Sequence, residues 1–355
     1  MKPKLSCAFL CILGIGLAWV NPILASEKLL LPGLTYYQGP ENLTGKLVFC
    51  LTDRNAPIQS SASQSTIFEF DLKSKKLSSV TRAPGEIFVA SPKGDLYCTL
   101  MDNLRGTNAF VYSTKTHKSR TIELSSPPVQ TTFVGEHAFF VVEHPGGSRI
   151  VEYMADSDTT GVVTLPNASS WEREVYSDTH APPGTSNVLH FNYAGHGSKK
   201  VDGQDYQTGY YSLDLVNRKS QRIALSDEDR DAYQAANGRY VYFKGDDGPD
   251  KGRTLVSSTH PKSTDDNQQG ENKDVKLLHN FAITSLFGGA DYWIYGLSPN
   301  HEFVFVKYGS IGRADSVCTY FIVNATTGQT RVLLKDTVSS AGGGFMSEVY
   351  WVASE

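Results

Sequence analysis

Six strand-turn-strand units recur along this chain, each an aromatic and β-branched run, a short polar turn and a second apolar run. The clearest are 66–81 (TIFEFDLKSKKLSSVT), 209–225 (GYYSLDLVNRKSQRIAL) and 318–334 (CTYFIVNATTGQTRVLL). Units of this kind returning roughly every 40 to 65 residues cannot bury an apolar face alone, so they stack into a radial or solenoid array. Adding the strands that precede each hairpin produces four-stranded antiparallel units. One runs through 86–91, 95–101, 109–113 and 120–124, and further units follow to residue 334. Near the N-terminus, 46–52, 66–72 and 77–81 supply only three strands, and 348–353 (EVYWVA) is a lone strand at the other end. Three plus one makes a sixth unit and removes the exposed edges that an open array would leave. The fold class expected is all-β, a six-bladed β-propeller closed by pairing the C-terminal strand with the N-terminal blade. An open two-sheet sandwich is the alternative, and it needs fewer units than six.

Ahead of the repeats, Lys2 and Lys4 precede an apolar stretch over 5–20, followed by Ile23-Leu24-Ala25. This pattern predicts a secretory signal peptide over 1–25, hence a periplasmic or extracellular protein, with a lead-in over 26–45 and one domain over 46–355. No later segment is long and apolar enough to span a bilayer. The net charge of -4 lacks the basic footprint of a nucleic-acid binder. Beyond the leader the cysteines are Cys50, Cys98 and Cys318, an odd number lying in apolar runs (LVFCL, LYCTL, VCTYF), which reads as buried free thiols. Nothing has the paired spacing of a zinc site.

The runs Phe68-Glu69-Phe70-Asp71-Leu72 and Tyr211-Ser212-Leu213-Asp214-Leu215, with the turns Ala90-Ser91-Pro92-Lys93-Gly94-Asp95 and Leu297-Ser298-Pro299-Asn300-His301, resemble the repeats of TolB-like, WD-type β-propellers. Such repeats also occur in the propeller domains of prolyl-peptidase relatives. The resemblance spans roughly residues 47–352 and rests on structural motifs: Ser-Pro sets the turn between inner strands, and aspartate satisfies backbone donors at a strand end. It implies a scaffold and carries no catalytic residue.

In this strand order, connections between blades and between second and third strands gather on one face, and several are long. Binding residues concentrate on such loops. That face carries Asp53, Arg54, Asp102, Arg105, His144, His196 and Arg313, and a loop Asp246-Asp247-Gly248-Pro249-Asp250 that lacks the oxygen spacing of an EF-hand. At the starts of innermost strands stand Glu86, Gln130, Arg173, Glu174, Asp231, Asp291 and Glu348, placed to ring the channel mouth. A carboxylate ring suits a hard cation or sugar hydroxyls. No Gly-x-Ser-x-Gly elbow is present. The reading is an exported noncatalytic binding module, expected as a monomer with a protein or glycan ligand, with no cofactor beyond a possible divalent cation. The alternative is a carbohydrate-active hydrolase or lyase using face carboxylates or histidines.

Overall fold

The computed structural model describes residues 26–39, 41–52, 64–85, 87–100, 107–145, 147–163, 173–181, 187–196, 209–223, 232–244, 253–259, 274–281, 290–310, 317–338, 345–346 and 348–354. Among them there are strands and turns and no helix. An N-terminal hairpin, β1 (Ser26–Leu31) and β2 (Leu34–Gln38), precedes β3 (Lys46–Thr52), β4 (Gln64–Asp71) and β5 (Lys76–Pro84) of the first blade. The second blade is β6 (Ile87–Ala90), β7 (Leu96–Leu100), β8 (Asn108–Ser113) and β9 (Lys118–Glu123). The third is β10 (Pro128–Val134), β11 (His137–His144), β12 (Gly147–Met154) and β13 (Thr159–Val163); the fourth is β14 (Arg173–His180), β15 (Val188–His196), β16 (Gly209–Asp214) and β17 (Lys219–Ile223). The fifth is β18 (Tyr233–Gln234), β19 (Tyr240–Lys244), β20 (Arg253–Ser258) and β21 (Lys276–Phe281), and the sixth β22 (Ala290–Leu297), β23 (Phe303–Ser310), β24 (Cys318–Asn324) and β25 (Thr330–Asp336). Two short strands, β26 (Phe345–Met346) and β27 (Tyr350–Val352), end the chain, and both pair antiparallel with β3.

Burial along each blade explains its sequence. A second strand, packed on both faces by neighbouring blades, reads as a continuous apolar run, and β7 (LYCTL) is buried at every position. An outermost strand such as β9 (KSRTIE) is exposed at all positions but Ile122. Alternate residues serve opposite neighbours because successive side chains leave a strand on opposite faces. Thus Phe139 and Val141 pack with Leu189 and Phe191 of the fourth blade, whereas Ala138, Phe140 and Val142 pack with Leu96 and Cys98 of the second. The same division closes the ring. Trp351 joins Phe303, Phe305 and Leu47 in the core between sixth and first blades, and Val352 joins Val48, Cys50 and Phe88 between first and second.

The expected turn chemistry is present. Strand three of five blades ends four residues before a residue in the left-handed region: Lys75, His117, Asp158, Arg218 and Gly328 have φ between 52° and 77°. Where the strand ends in Asp or Asn, that side chain caps the turn. Asp71 accepts from Ser74 N at 2.6 Å, Asp214 from Val216 N and Asn217 N, and Asn324 from Thr326 N and Thr327 N. In the inner turns the cap is the serine of Ser-Pro: Ser91 Oγ accepts from Leu96 N and Ser298 Oγ from Phe303 N, each at 3.0 Å.

The stretch expected as a lead-in is a structured part of the ring. Its strand β2 pairs with β25, aligning Leu34 with Asp336 and Tyr36 with Leu334, so the sixth blade has six strands. Leu30, Leu34 and Tyr36 enter the core between sixth and first blades, and the Tyr36 and Phe70 rings lie 4.8 Å apart. Each end of the chain therefore crosses to the opposite side of one seam. Residues 1–25, the expected signal peptide, lie outside the described residues. No described helix is long and apolar enough to cross a membrane.

Candidate functional site

Of the residues expected to bind, Asp53, Arg54, Glu86, Asp102, Arg105, Asp231 and Arg313 lie outside the described residues, as does the acidic loop 246–250. Arg173, Glu174 and His196 are placed by their backbone: Arg173 is opposite His196, and Glu174 forms the single parallel pair, with Gly147, that joins the sheets of the third and fourth blades. His144 is exposed at the connection between β11 and β12.

Three of the inner-strand residues have described side chains, and each binds the neighbouring blade. Gln130 donates to Thr179 O at 2.9 Å and accepts from Thr179 N at 3.1 Å. Its amide thereby stands in for a backbone rung between β10 and β14, reinforced by Thr132 Oγ1 to Thr179 O at 2.7 Å. Asp291 receives a forked pair of bonds from Arg253 on the fifth blade, Nε at 2.9 Å and Nη2 at 2.7 Å, and accepts from Tyr292 N. The Arg253 hydrogen bonds outweigh partial burial and hold its carboxyl below the usual carboxylate range.

Glu348 stands at a charged junction where the C-terminal segment meets the sixth blade. Lys307 Nζ donates to both of its oxygens, at 3.0 and 2.9 Å, and to Tyr295 Oη at 3.2 Å. The ammonium lies 5.2 Å from the Tyr295 ring centre and 6.0 Å from that of Tyr320, an arrangement that favours a cation over the ring faces. Burial, then the Glu348 charge, push the Tyr295 phenol up, and burial does the same to Tyr320, so both stay protonated. One row further along the same sheet face, Cys318 is opposite Asp336, and Asp336 opposite Leu34. Asp336 is 8% exposed; burial raises its carboxyl to about 6, against the lowering effects of a bond from Val338 N and of Lys307. Gly309 makes room for this row, since a Cβ there would lie 2.9 Å from Cys318 Sγ. An ammonium, two carboxylates, two phenols and a thiol thus meet on one seam. Of these, sequence reasoning had selected only Glu348. The visible signal for the rest was a lysine in the middle of an apolar strand, FVFVKYGS.

Charged contacts on the opposite face have a different character. Glu152, 3% exposed, accepts from His137 Nδ1 and from Arg218 Nη1 of the fourth blade, both at 2.6 Å. Burial opposes its charge, but these two donors prevail and hold the carboxyl below its ordinary range. Lys115 bridges to Asp95 and Glu136 between second and third blades. A cleft of about 530 Å³ between fifth and sixth blades is lined by Arg239, Asp274, Lys276 and Thr326, which are already bonded in pairs: Arg239 to Asp274, and Lys276 Nζ to Thr326 O. None of Cys50, Cys98 and Cys318 is in a disulfide: Cys50 and Cys98 are fully buried, the Cys50 thiol pushed up to about 12 by burial, and Cys318 is of intermediate exposure. Among the described residues no three His, Cys, Asp or Glu side chains come together as a metal site.

No protein-family model matches the sequence, and no curated protein is significantly similar to it. Solved structures superpose on it at low identity. TolB from Acinetobacter baumannii is 13% identical with a TM-score of 0.49, over 89% of this chain and 68% of that one. An oligogalacturonate lyase in complex with manganese is 9% identical with a TM-score of 0.41, over 87% and 84%. A chain of a nidogen/laminin complex is 8% identical with a TM-score of 0.42, over 86% and 97%. Independently of those distant similarities, strand order and register make this chain a six-bladed β-propeller.

Proposed function

We propose that the protein is an exported, noncatalytic binding module that takes a protein or glycan ligand on the face formed by the interblade and second-to-third-strand connections. The observation that supports this reading is the commitment of the inner-strand polar groups to the scaffold. Gln130 is bonded to Thr179, Asp291 to Arg253 and Glu348 to Lys307, each across a boundary between blades. A carboxylate held in a forked arginine pair is stabilised as the anion and is poorly suited to passing protons. Such pairs stiffen the ring on which variable loops are displayed. A second reading, a carbohydrate-active hydrolase or lyase, draws on the gathering of Lys307, Tyr295 and Glu348, an ammonium, a phenol and a carboxylate within hydrogen-bond reach of one another.

The experiment is a glycan array and a panel of purified exported proteins probed with the mature chain, with and without calcium or manganese, followed by mass analysis of any bound ligand. A ligand recovered chemically unchanged, with affinity indifferent to chelator, supports the module. Recovery of cleaved or unsaturated sugar replaces it with the enzyme, and affinity lost on chelation restores the cation to the site.

A further inference from the structure

The seam that closes the ring sets a lysine amine on one blade against a carboxylate on the segment that completes the next. Lys307 stands on β23, paired with Trp293 on one side and Tyr320 on the other, and its side chain is 14% exposed. Its Nζ lies 3.0 and 2.9 Å from the two oxygens of Glu348, which precedes β27 on the closing segment. Tyr295 touches both partners: its Oη accepts from Lys307 Nζ at 3.2 Å, and its phenol is hydrogen-bonded to the Glu348 carboxylate. A bulge aims each of these last two residues. On β22 the register slips between Ile294 and Gly296, leaving Tyr295 as the extra residue. Between the pairs Met346–Leu51 and Tyr350–Val48 the closing segment has one residue more than β3. Bulges re-aim side chains and are over-represented beside sites of chemistry. Asp291 and Glu41, by contrast, are held by arginine, whose guanidinium keeps them as ion pairs.

We propose that Lys307 and Glu348 condense into an isopeptide bond, fastening the segment that closes the ring covalently to the sixth blade. In this step the Nζ–Cδ bond forms and one Cδ–O bond of the carboxylate breaks. The ammonium gives up two of its three protons, the departing oxygen takes both, and one water leaves, so atoms and charge balance with no added reagent. Tyr295 carries the proton: its oxygen takes one from the nitrogen while its own passes to the carboxylate. Two physical terms favour the product. Free in solution an amine and an acid lose to hydrolysis, but groups held at contact act at effective concentrations of about 10⁵–10⁸ M, far above that of water. An ion pair drawn out of water also carries a desolvation cost on both partners, and a neutral amide removes both charges. Glu348, 41% exposed, leaves the released water a way out. Because Cys50, Cys98 and Cys318 form no disulfide, this bond is the covalent tie across the closing seam.

Peptide mapping reads the bond directly, on the full chain folded and held at neutral pH, then denatured and digested with trypsin. Trypsin does not cut after an acylated lysine. The expected product is therefore peptide 277–313, uncut at Lys307, joined to the C-terminal peptide 336–355 and lighter than the two together by one water. Lys307→Arg keeps the charge and the ion pair but cannot condense in this way, so it should release 336–355 free, as should Glu348→Ala. Tyr295→Phe should slow the joining by about a hundredfold or more. Recovery of wild-type 336–355 free and at its full mass overturns the proposal. Joining in Tyr295→Phe at the wild-type rate overturns the part given to the phenol. The readout is the mass of denatured peptides, so the wild type alone decides the bond even where a variant fails to fold.

Discussion

At the scale of single residues, the charged side chains of this ring work between blades, and their titration carries the consequence. Asp336 has a raised carboxyl, about 6 in the fold against an ordinary 3.8. The folded state therefore holds this proton where the unfolded chain releases it. Its stabilising contribution is complete below pH 3.8 and is lost as pH rises through about 6, a difference of about 3 kcal/mol. Relative to wild type, Asp336→Asn should gain roughly that much between pH 4 and pH 7 in denaturant titrations. Glu152 has the opposite sign: its carboxyl is lowered, so its contribution is present at neutral pH and fades as acid protonates it. Replacing it by alanine leaves His137 and Arg218 without their shared acceptor. The loss at pH 7 should be about 2 kcal/mol, below the 3–5 kcal/mol of a wholly buried pair because Arg218 is 45% exposed. Thiol chemistry gives an independent check on burial. A small alkylating reagent applied to native protein should modify Cys318 well before Cys50 and Cys98, and equal rates at all three would contradict their packing.

At the scale of elements, the repeat is written in its turns. Ser91 and Ser298 occupy the same place in the second and sixth blades, each 1% exposed and each accepting a buried backbone N–H. Truncating either to alanine orphans that donor, so each should cost about 1–3 kcal/mol in thermal unfolding, and the pair should add because they share no partner. The N-terminal hairpin depends on Gly33. Its φ of 83° belongs to the left-handed region, and a Cβ would lie 2.7 Å from Val338 Cα, where the Gly33 carbonyl accepts from Thr337 N. Gly33→Ala should therefore lower the melting temperature by more than a comparable change at Gly238, a positive-φ glycine with open space around it. Strand positions were legible because aromatic and β-branched runs broken by Ser-Pro or Asx turns are local signals. The hairpin of residues 26–38 was not, because its run SEKLLL, then LTYYQ, has no repeat partner and gains its burial from Phe70, Leu333 and Leu334, all distant in sequence.

At the scale of the whole molecule, closure rests on both chain ends meeting at one seam. The C-terminal strand pairs with β3, aligning Tyr350 with Val48 and Trp351 with Leu47, while Trp351 Nε1 donates to Thr44 O at 2.9 Å. Val349, Trp351 and Val352 are buried, and each large apolar side chain is worth roughly 1.5 to 3 kcal/mol. A chain stopped after residue 347 loses on the order of 5 kcal/mol, comparable to the whole stability of many domains. It should melt far below the full chain or precipitate through the bared edge of β3. A soluble truncation melting within a degree or two would show the ring to hold without this strand. The sequence by itself determined the all-β class, the six units, the turn residues and the strand that completes the first blade, because strand periodicity and turn propensity act over a few residues. Only the tertiary structure decided which charges meet. Arg331 binds Glu41 from 290 positions away, and Lys307 reaches Glu348 across 41. No local pattern encodes such pairs, since a ring brings together side chains whose proximity depends on every intervening blade, and so the partners of Gln130, Asp291 and Glu348 on the neighbouring element were not legible in the sequence.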